Sequence, residues 1–289
     1  MSNNRLYAVT DDGISELAIP QQITNLTDLY SGLELGVYSA LRTYEHNKFL
    51  ELDAHLDRTE RSMAVLNWDY HLDRDRLKRA LHEAVTAFPA PNARVRFDIL
   101  SWPAESLGTE SRELIALIPF KAESKQVYTR GVGIDFVPHL VRDEPLAKTA
   151  EFAERRSKML PSRNRSHYEY LMLDKDDNLL EGTMTNFWVV RNGEVWTAGK
   201  GVLEGITRKI LLDLIPSIGI PLYEIAVNKK DLPYIDEAFL SGSSRAVVPV
   251  VRIAQYEIGD GRPGPISRQI LRTYQAYVQE NIKTAISAL

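Results

Sequence analysis

Strand signals fill both halves of this chain, and a single polar run, 121–130, divides them; no other feature limits the possible folds as much. Residues 5–10 and 13–19 flank the turn-prone Asp11-Asp12-Gly13 and read as a hairpin. A second pairing follows, 36–44 against 49–52 across Glu45-His46-Asn47-Lys48. The period then becomes helical, with Leu52, Leu56, Met63 and Leu66 on one face and Asp53 as the expected cap, and 73–88 forms a second amphipathic helix. Strand character returns at 93–102 and 112–120. Beyond the polar run come a strand at 131–138, a helix at 151–160 and a strand at 168–174 that turns through Asp176-Asp177-Asn178. Asn192-Gly193, between strands 187–191 and 194–197, is the strongest short hairpin signal. A helix over 207–215, strands at 222–227, 238–241 and 247–253, and a helix from Ile266 complete the pattern, with no internal repeat.

A chain of 289 residues exceeds what one hydrophobic core usually holds. The expectation is therefore two α/β domains, a smaller one at 1–120 and a larger one at 131–289, joined by the linker 121–130. The absence of cysteine excludes disulfides and thiolate chemistry and suits a reducing compartment. With no membrane-length apolar run and no leader-like N-terminus, the expected location is the cytoplasm. A net charge of -4 with both signs interspersed speaks against a nucleic-acid partner.

Several chemical motifs can be set aside. Gly259, Gly261 and Gly264 satisfy a dinucleotide spacing, but Pro263 and Pro265 interrupt it and no strand-turn-helix context surrounds it. The six histidines contain no pair three or four residues apart, so no metal site is expected. There is no G-x-S-x-G elbow.

Four separated segments survive. In the stretch from Glu51 to Arg58, Arg58 leaves the apolar stripe and could grip a phosphate through its guanidinium fork; taken alone, a solvated surface arginine is the commoner outcome. Leu203-Glu204-Gly205-Ile206-Thr207-Arg208 runs from a loop into a helix, whose free N–H groups suit either an anion or an ordinary cap. Ser241-Gly242-Ser243-Ser244-Arg245 offers hydroxyl and amide donors, or simply a turn. Lys148, in Leu146-Ala147-Lys148-Thr149, is a candidate desolvated amine, and 33 residues later Glu181 is the acid in a run of apolar and small residues.

Taken together from Gly36 to Ile253, these segments resemble the class IV aminotransferases, the fold type IV group that includes branched-chain and D-amino acid aminotransferases and 4-amino-4-deoxychorismate lyase. The resemblance implies a two-domain enzyme with pyridoxal 5'-phosphate in the cleft between its domains. It implies that Lys148 carries the cofactor as a Schiff base and shuttles the substrate proton, and that Glu181 faces the pyridine nitrogen. By the same correspondence Arg58, Ile206, Thr207 and Ser243 hold the phosphate, and Leu203 packs on the ring. Tyr38, Arg96 and Ser244 fall on the substrate side. Lys158, the competing lysine, lies inside the 151–160 helix and is expected to be an ordinary surface group. A homodimer is implied as well.

The substrate side departs from the branched-chain pattern. Ala40 replaces a glycine, Arg94 and Ala153 stand where the family has tyrosines, and the loop after Ser243 lacks its acid and threonine. The expected reaction is amino transfer between a small amino acid, branched-chain-like or other, and a 2-keto acid such as 2-oxoglutarate. The alternatives are a lyase of the deoxychorismate type, a D-amino acid or (R)-amine transaminase, and a non-catalytic binding protein on the same scaffold.

Overall fold

The computed structural model describes residues 4–19, 36–160 and 167–287. The chain divides into two compact units, one of Met1–Lys121, Leu146–Ser157 and Asn281–Leu289, the other of Ala122–Pro145 and Lys158–Glu280. The first break falls inside the expected linker. Two segments assigned from sequence to the second domain group instead with the first unit, because each supplies an edge to its sheet. Ile282–Thr284 pairs with Lys48–Leu50, and Thr149 bridges Val37.

In unit 1, among the described residues, seven strands form one antiparallel sheet. They are β1 (Arg5–Thr10), β2 (Gly13–Glu16), β3 (Gly36–Tyr44), β4 (Lys48–Leu50), β5 (Ala93–Leu100), β6 (Glu113–Pro119) and the returning Ile282–Thr284. β3 and β5 pair in the register Tyr38↔Asp98 and Ala40↔Arg96, so the two-residue period sends these side chains to one face. The other face carries Val37, Leu41, Val95, Phe97 and Ile99 into the core, where Leu56, Leu77 and Leu81 of two helices meet them. Burying each such side chain contributes about 1.5–3 kcal/mol.

Those helices are α1 (Leu52–Val65) and α2 (Arg74–Thr86). Asp73 caps α2, its side chain accepting from Arg76 N at 2.9 Å. Asp53 does not cap α1. The chain passes from β4 to the helix through Glu51 alone, in a left-handed conformation (φ 51°), which leaves Asp53 in the first turn to pair with Lys78 at 2.6 Å.

Unit 2 opens with α3 (Lys125–Arg130), where the sequence pattern suggested only a linker; Val127 and Tyr128 pack against the second core and give this polar run a reason to fold. Its sheet, again among the described residues, has nine strands. Six of them close into a ring: β7 (Val132–Phe136), β8 (Tyr170–Leu173), β9 (Leu179–Gly182), β10 (Asn186–Arg191), β13 (Glu237–Gly242) and β14 (Ala246–Ile253). β11 (Glu194–Thr197), β12 (Leu222–Tyr223) and β15 (Tyr256–Glu257) are added outside it. Closure rests on one pair, Asn186↔Glu181, because the rest of that edge of β10 is taken by β11.

The Asn192-Gly193 turn between β10 and β11 has both residues at positive φ, 53° and 79°, the conformation of a tight hairpin whose twist matches its strands. β9 carries Glu181 and was not anticipated as a strand. The expected strand at 222–227 shrinks to two residues. Helices α4 (Ala150–Met159), α5 (Ile206–Ser217) and α6 (Pro265–Asn281) match their predicted positions within one or two residues. The glycine-rich 259–264 segment precedes α6, whose first N–H groups at Ile266 and Ser267 donate to the Glu237 carboxylate at 2.9 and 2.8 Å.

Candidate active site

The candidate side chains form two groups, one in each unit. In unit 1, Lys148 is held through its backbone on both sides: its N–H donates to Ser62 Oγ at 3.2 Å, and its carbonyl accepts from Tyr38 N at 3.0 Å. It does not directly follow a strand, since β7 ends at Phe136; the residues at 148 and 149 pair with β3 beyond the end of β4. Lys148 is half-buried, and its Nζ stands 4.8 Å from the centre of the Tyr38 ring. The Arg96 guanidinium lies 4.1 Å from the same ring. Such contacts contribute on the order of 0.5–2 kcal/mol.

Arg96 is chelated by Asp98, two residues along the same face, with Nε to Oδ2 at 2.8 Å and Nη2 to Oδ1 at 2.5 Å. Arg94, at the position of the family's tyrosine, is exposed. Arg58 leaves the Leu52 and Leu56 stripe but is not solvated: it is 4% exposed and donates from Nη2 to Ser39 Oγ at 2.7 Å. Ser39 Oγ is 3.2 Å from His55 Nδ1. Burial, followed by the nearby Arg58 and Lys148 cations, holds the His55 imidazole well below the usual histidine range, so the ring is neutral. Lys158 is exposed on α4.

In unit 2, Glu181 is buried at the seam of the ring. One carboxylate oxygen accepts from Arg142 Nε at 2.6 Å and the other from Asn186 Nδ2 at 3.0 Å. Asn186 also donates to the Leu203 carbonyl at 2.8 Å. A Cβ added at Gly205 would come within 2.1 Å of Asn186 Oδ1, so only glycine fits between this amide and the start of α5. Gly205 caps α5 without a side-chain acceptor, leaving the first-turn N–H groups around Ile206 and Thr207 available to an anion. Leu203, Ile206 and Thr207 are themselves buried. Arg208, in the same motif, faces elsewhere and donates to the Ala198 carbonyl and to Glu224.

Ser243 and Ser244, half-buried, form the turn between β13 and β14, closed by Arg245 N to Gly242 O at 3.0 Å. Arg245 braces that turn against buried Glu169 at 3.1 Å, and Glu169 also accepts from Thr183 Oγ1 at 2.7 Å. Ser241 accepts from Trp188 Nε1 at 2.9 Å, a structural bond.

Unit 1 thus brings together Tyr38, Arg58, Arg96 and Lys148, and unit 2 brings together Glu181, Leu203, Ile206 and Thr207, with the Ser243-Ser244 turn on the strand beside β10. Sequence reasoning missed Ser39, His55, Asp98, Arg142 and Glu169. Asp98 could have been found as an acid in an apolar strand, two residues from an arginine. The other four act through partners 14 to 76 residues away, which local pattern does not reveal.

The comparisons with known proteins agree on one family. The model for amino-transferases of class IV matches residues 36–253. A branched-chain-amino-acid aminotransferase of Pseudomonas aeruginosa is 24% identical over 262 residues, 83% of each chain. Among solved structures, the branched-chain aminotransferase of Thermoproteus uzoniensis with norvaline superposes with a TM-score of 0.77 at 23% identity, covering 97% of this chain and 99% of that one. The Thermobaculum terrenum branched-chain enzyme in its PLP form gives a TM-score of 0.77 at 22% identity, over 97% and 98% of the two chains. These matches favour amino transfer over the lyase and the non-catalytic alternatives. The chain belongs to the class IV aminotransferases, with their fold, and it is a transaminase.

Proposed function

We propose that this transaminase uses pyridoxal 5'-phosphate, held on Lys148, to move an amino group between a small amino acid, branched-chain-like or similar, and a 2-keto acid such as 2-oxoglutarate. The observation that carries this reading is the environment of Lys148: half-buried, fixed by hydrogen bonds on both sides of its backbone, and laid against the Tyr38 ring.

The residues present fit the cofactor by their chemistry. A phosphate dianion calls for a buried guanidinium and uncapped helix N–H groups, and Arg58 and the start of α5 are of these kinds. A protonated ring nitrogen calls for a fixed carboxylate, and Glu181 is held by Arg142 and Asn186. When bound, the cofactor supplies an electrophilic carbonyl carbon and a ring that withdraws electrons. Lys148 Nζ would carry the group and, when free, would be the base that holds the substrate α proton. Glu181 would hold a proton on the ring nitrogen, and Leu203 would supply an apolar wall. Arg58, the Ile206 and Thr207 amides, the Thr207 hydroxyl and Ser243 bind the anion. Tyr38, Arg96 and Ser244 orient the substrate, with Arg96 kept in place by Asp98.

A half-reaction screen tests this. The purified protein is mixed with L- and D-amino acids and simple amines, and the cofactor's visible absorbance is followed. Loss of the band with one class of amino acid, and its return with a 2-keto acid, is the expected result. Release of pyruvate from an aminated chorismate, with no amino acid able to bleach the band, would overturn the reading.

Among the described residues no helix is long and apolar enough to cross a membrane. We further infer a cytoplasmic homodimer. The absence of cysteine supports the reducing compartment, and sedimentation at working concentration tests the dimer.

A further inference from the structure

Arg58, Ser39 and His55 form a short buried line inside unit 1, at 4%, 0% and 1% exposure. The direction of its hydrogen bonds follows from the chemistry of the three groups. A guanidinium can only donate, so in the 2.7 Å contact Ser39 Oγ accepts from Arg58 Nη2. The other neighbour of the hydroxyl is His55 Nδ1 at 3.2 Å, and the serine proton has a partner there when Nδ1 presents a lone pair. In that arrangement His55 carries its proton on Nε2, and burial keeps the ring uncharged.

The opposite side of the same helix turn is tied down as well: Ser62 Oγ donates to the Arg58 carbonyl at 2.8 Å and accepts from Lys148 N at 3.2 Å. Arg58 is therefore held at its guanidinium by β3 and at its backbone by the lysine segment. An arginine loses much rotational freedom when it grips an anion, and fixing it beforehand removes part of that cost.

We propose that Ser39 and His55 are positioning residues that aim the Arg58 guanidinium at the phosphate of the cofactor. His55 orients the Ser39 hydroxyl, and the hydroxyl oxygen orients Arg58. This rests on the reading of Arg58 as a phosphate ligand, and it extends that reading to two residues that touch no ligand themselves.

The test uses the full-length holoenzyme and reads cofactor retention and ring tautomer in place of turnover. Equilibrium dialysis gives the dissociation constant for pyridoxal 5'-phosphate in wild type, Ser39→Ala, His55→Leu, His55→Asn and Arg58→Ala. A bond to a charged group is worth about tenfold in affinity, so Ser39→Ala and His55→Leu should each release the cofactor about tenfold more readily. Asparagine offers an acceptor near the Nδ1 position, and His55→Asn should restore affinity to within about threefold of wild type. Nitrogen NMR of labelled histidine should show the Nε2-protonated tautomer at position 55, with the Nδ1 resonance shifting in Ser39→Ala. Thermal unfolding of each cofactor-free variant identifies any loss of affinity that comes from misfolding.

Wild-type retention in Ser39→Ala and His55→Leu, alongside clear loss in Arg58→Ala, would overturn the proposal and leave the phosphate reading standing. Wild-type retention in Arg58→Ala as well would remove the phosphate reading itself. A His55 ring protonated on Nδ1 would also end the proposal.

Discussion

Around Lys148, Arg58 donates to a serine hydroxyl, and Lys148 lies against a phenol ring beside a neutral histidine. Around Glu181 the arrangement is reversed, because the buried acids Glu181 and Glu169 each meet a guanidinium, Arg142 and Arg245. Unit 1 therefore gathers two cationic side chains, Arg58 and Lys148, around one buried histidine, as an anion-binding site requires. Unit 2 compensates its charge internally and can present an oriented carboxylate without help from a ligand. Unit 1 also holds internally compensated pairs, Arg96–Asp98 and Arg76–Glu113, each on a buried acid.

The largest effect expected is at Lys148. Replacement Lys148→Ala should remove the visible cofactor band and lower amino transfer on the order of a thousandfold, the scale of a lost proton-transfer group. A surviving band would shift the assignment to another lysine and break the contrast between the units.

The self-compensated pairs come next. Arg142→Leu takes the guanidinium from the buried Glu181 carboxylate and should destabilise unit 2 by about 3–5 kcal/mol, with Arg96→Leu costing unit 1 a similar amount through Asp98. Urea midpoints measure both. Adding Glu181→Leu to Arg142→Leu should recover much of the loss, and a double variant as unstable as the single one would show that the pair is not the cause.

His55 gives a smaller, pH-dependent effect in unit 1 alone. Its folded pKa lies below the unfolded value of about 6.5, so the native state binds fewer protons than the unfolded chain. Stability should be complete above that pH and decline below it, by at most about 1.4 kcal/mol per pH unit. His55→Asn should flatten this slope, and identical urea titrations of the two proteins from pH 7 to pH 5 would refute the assignment. The smallest effect is at the surface: Asp73→Ala removes the cap of α2 at a cost of about 1 kcal/mol, read as a modest drop in Tm.

Much of the fold was legible because its signals are local. The alternation of β3 and β5, the capped helix from Asp73 and the Asn192-Gly193 turn each depend on neighbours a few residues away. β9 escaped notice because four residues between turns carry too little periodicity to stand out. α3 escaped because its polar residues hide the two, Val127 and Tyr128, that anchor it. The domain pattern was misjudged at 146–157 and 281–289 because edge pairing is decided by where a strand finds unpaired backbone groups, whatever its place in the sequence.

The candidate site divides the same way. Lys148, Glu181, Arg58 and the Gly205-Ile206-Thr207 turn were named as candidates from the order of their segments and its resemblance to the family. That Arg58 is buried and not solvated, that Arg142 pairs with Glu181 across 39 residues, and that Asp98 chelates Arg96 were decided only by the folded chain. The physical reason is that periodicity and capping are properties of adjacent residues, whereas the partner of a buried charge is whichever group the tertiary fold brings within hydrogen-bond reach. By itself the sequence determined the kind of chemistry this protein carries. The tertiary structure decided how each charged group in it is oriented and compensated.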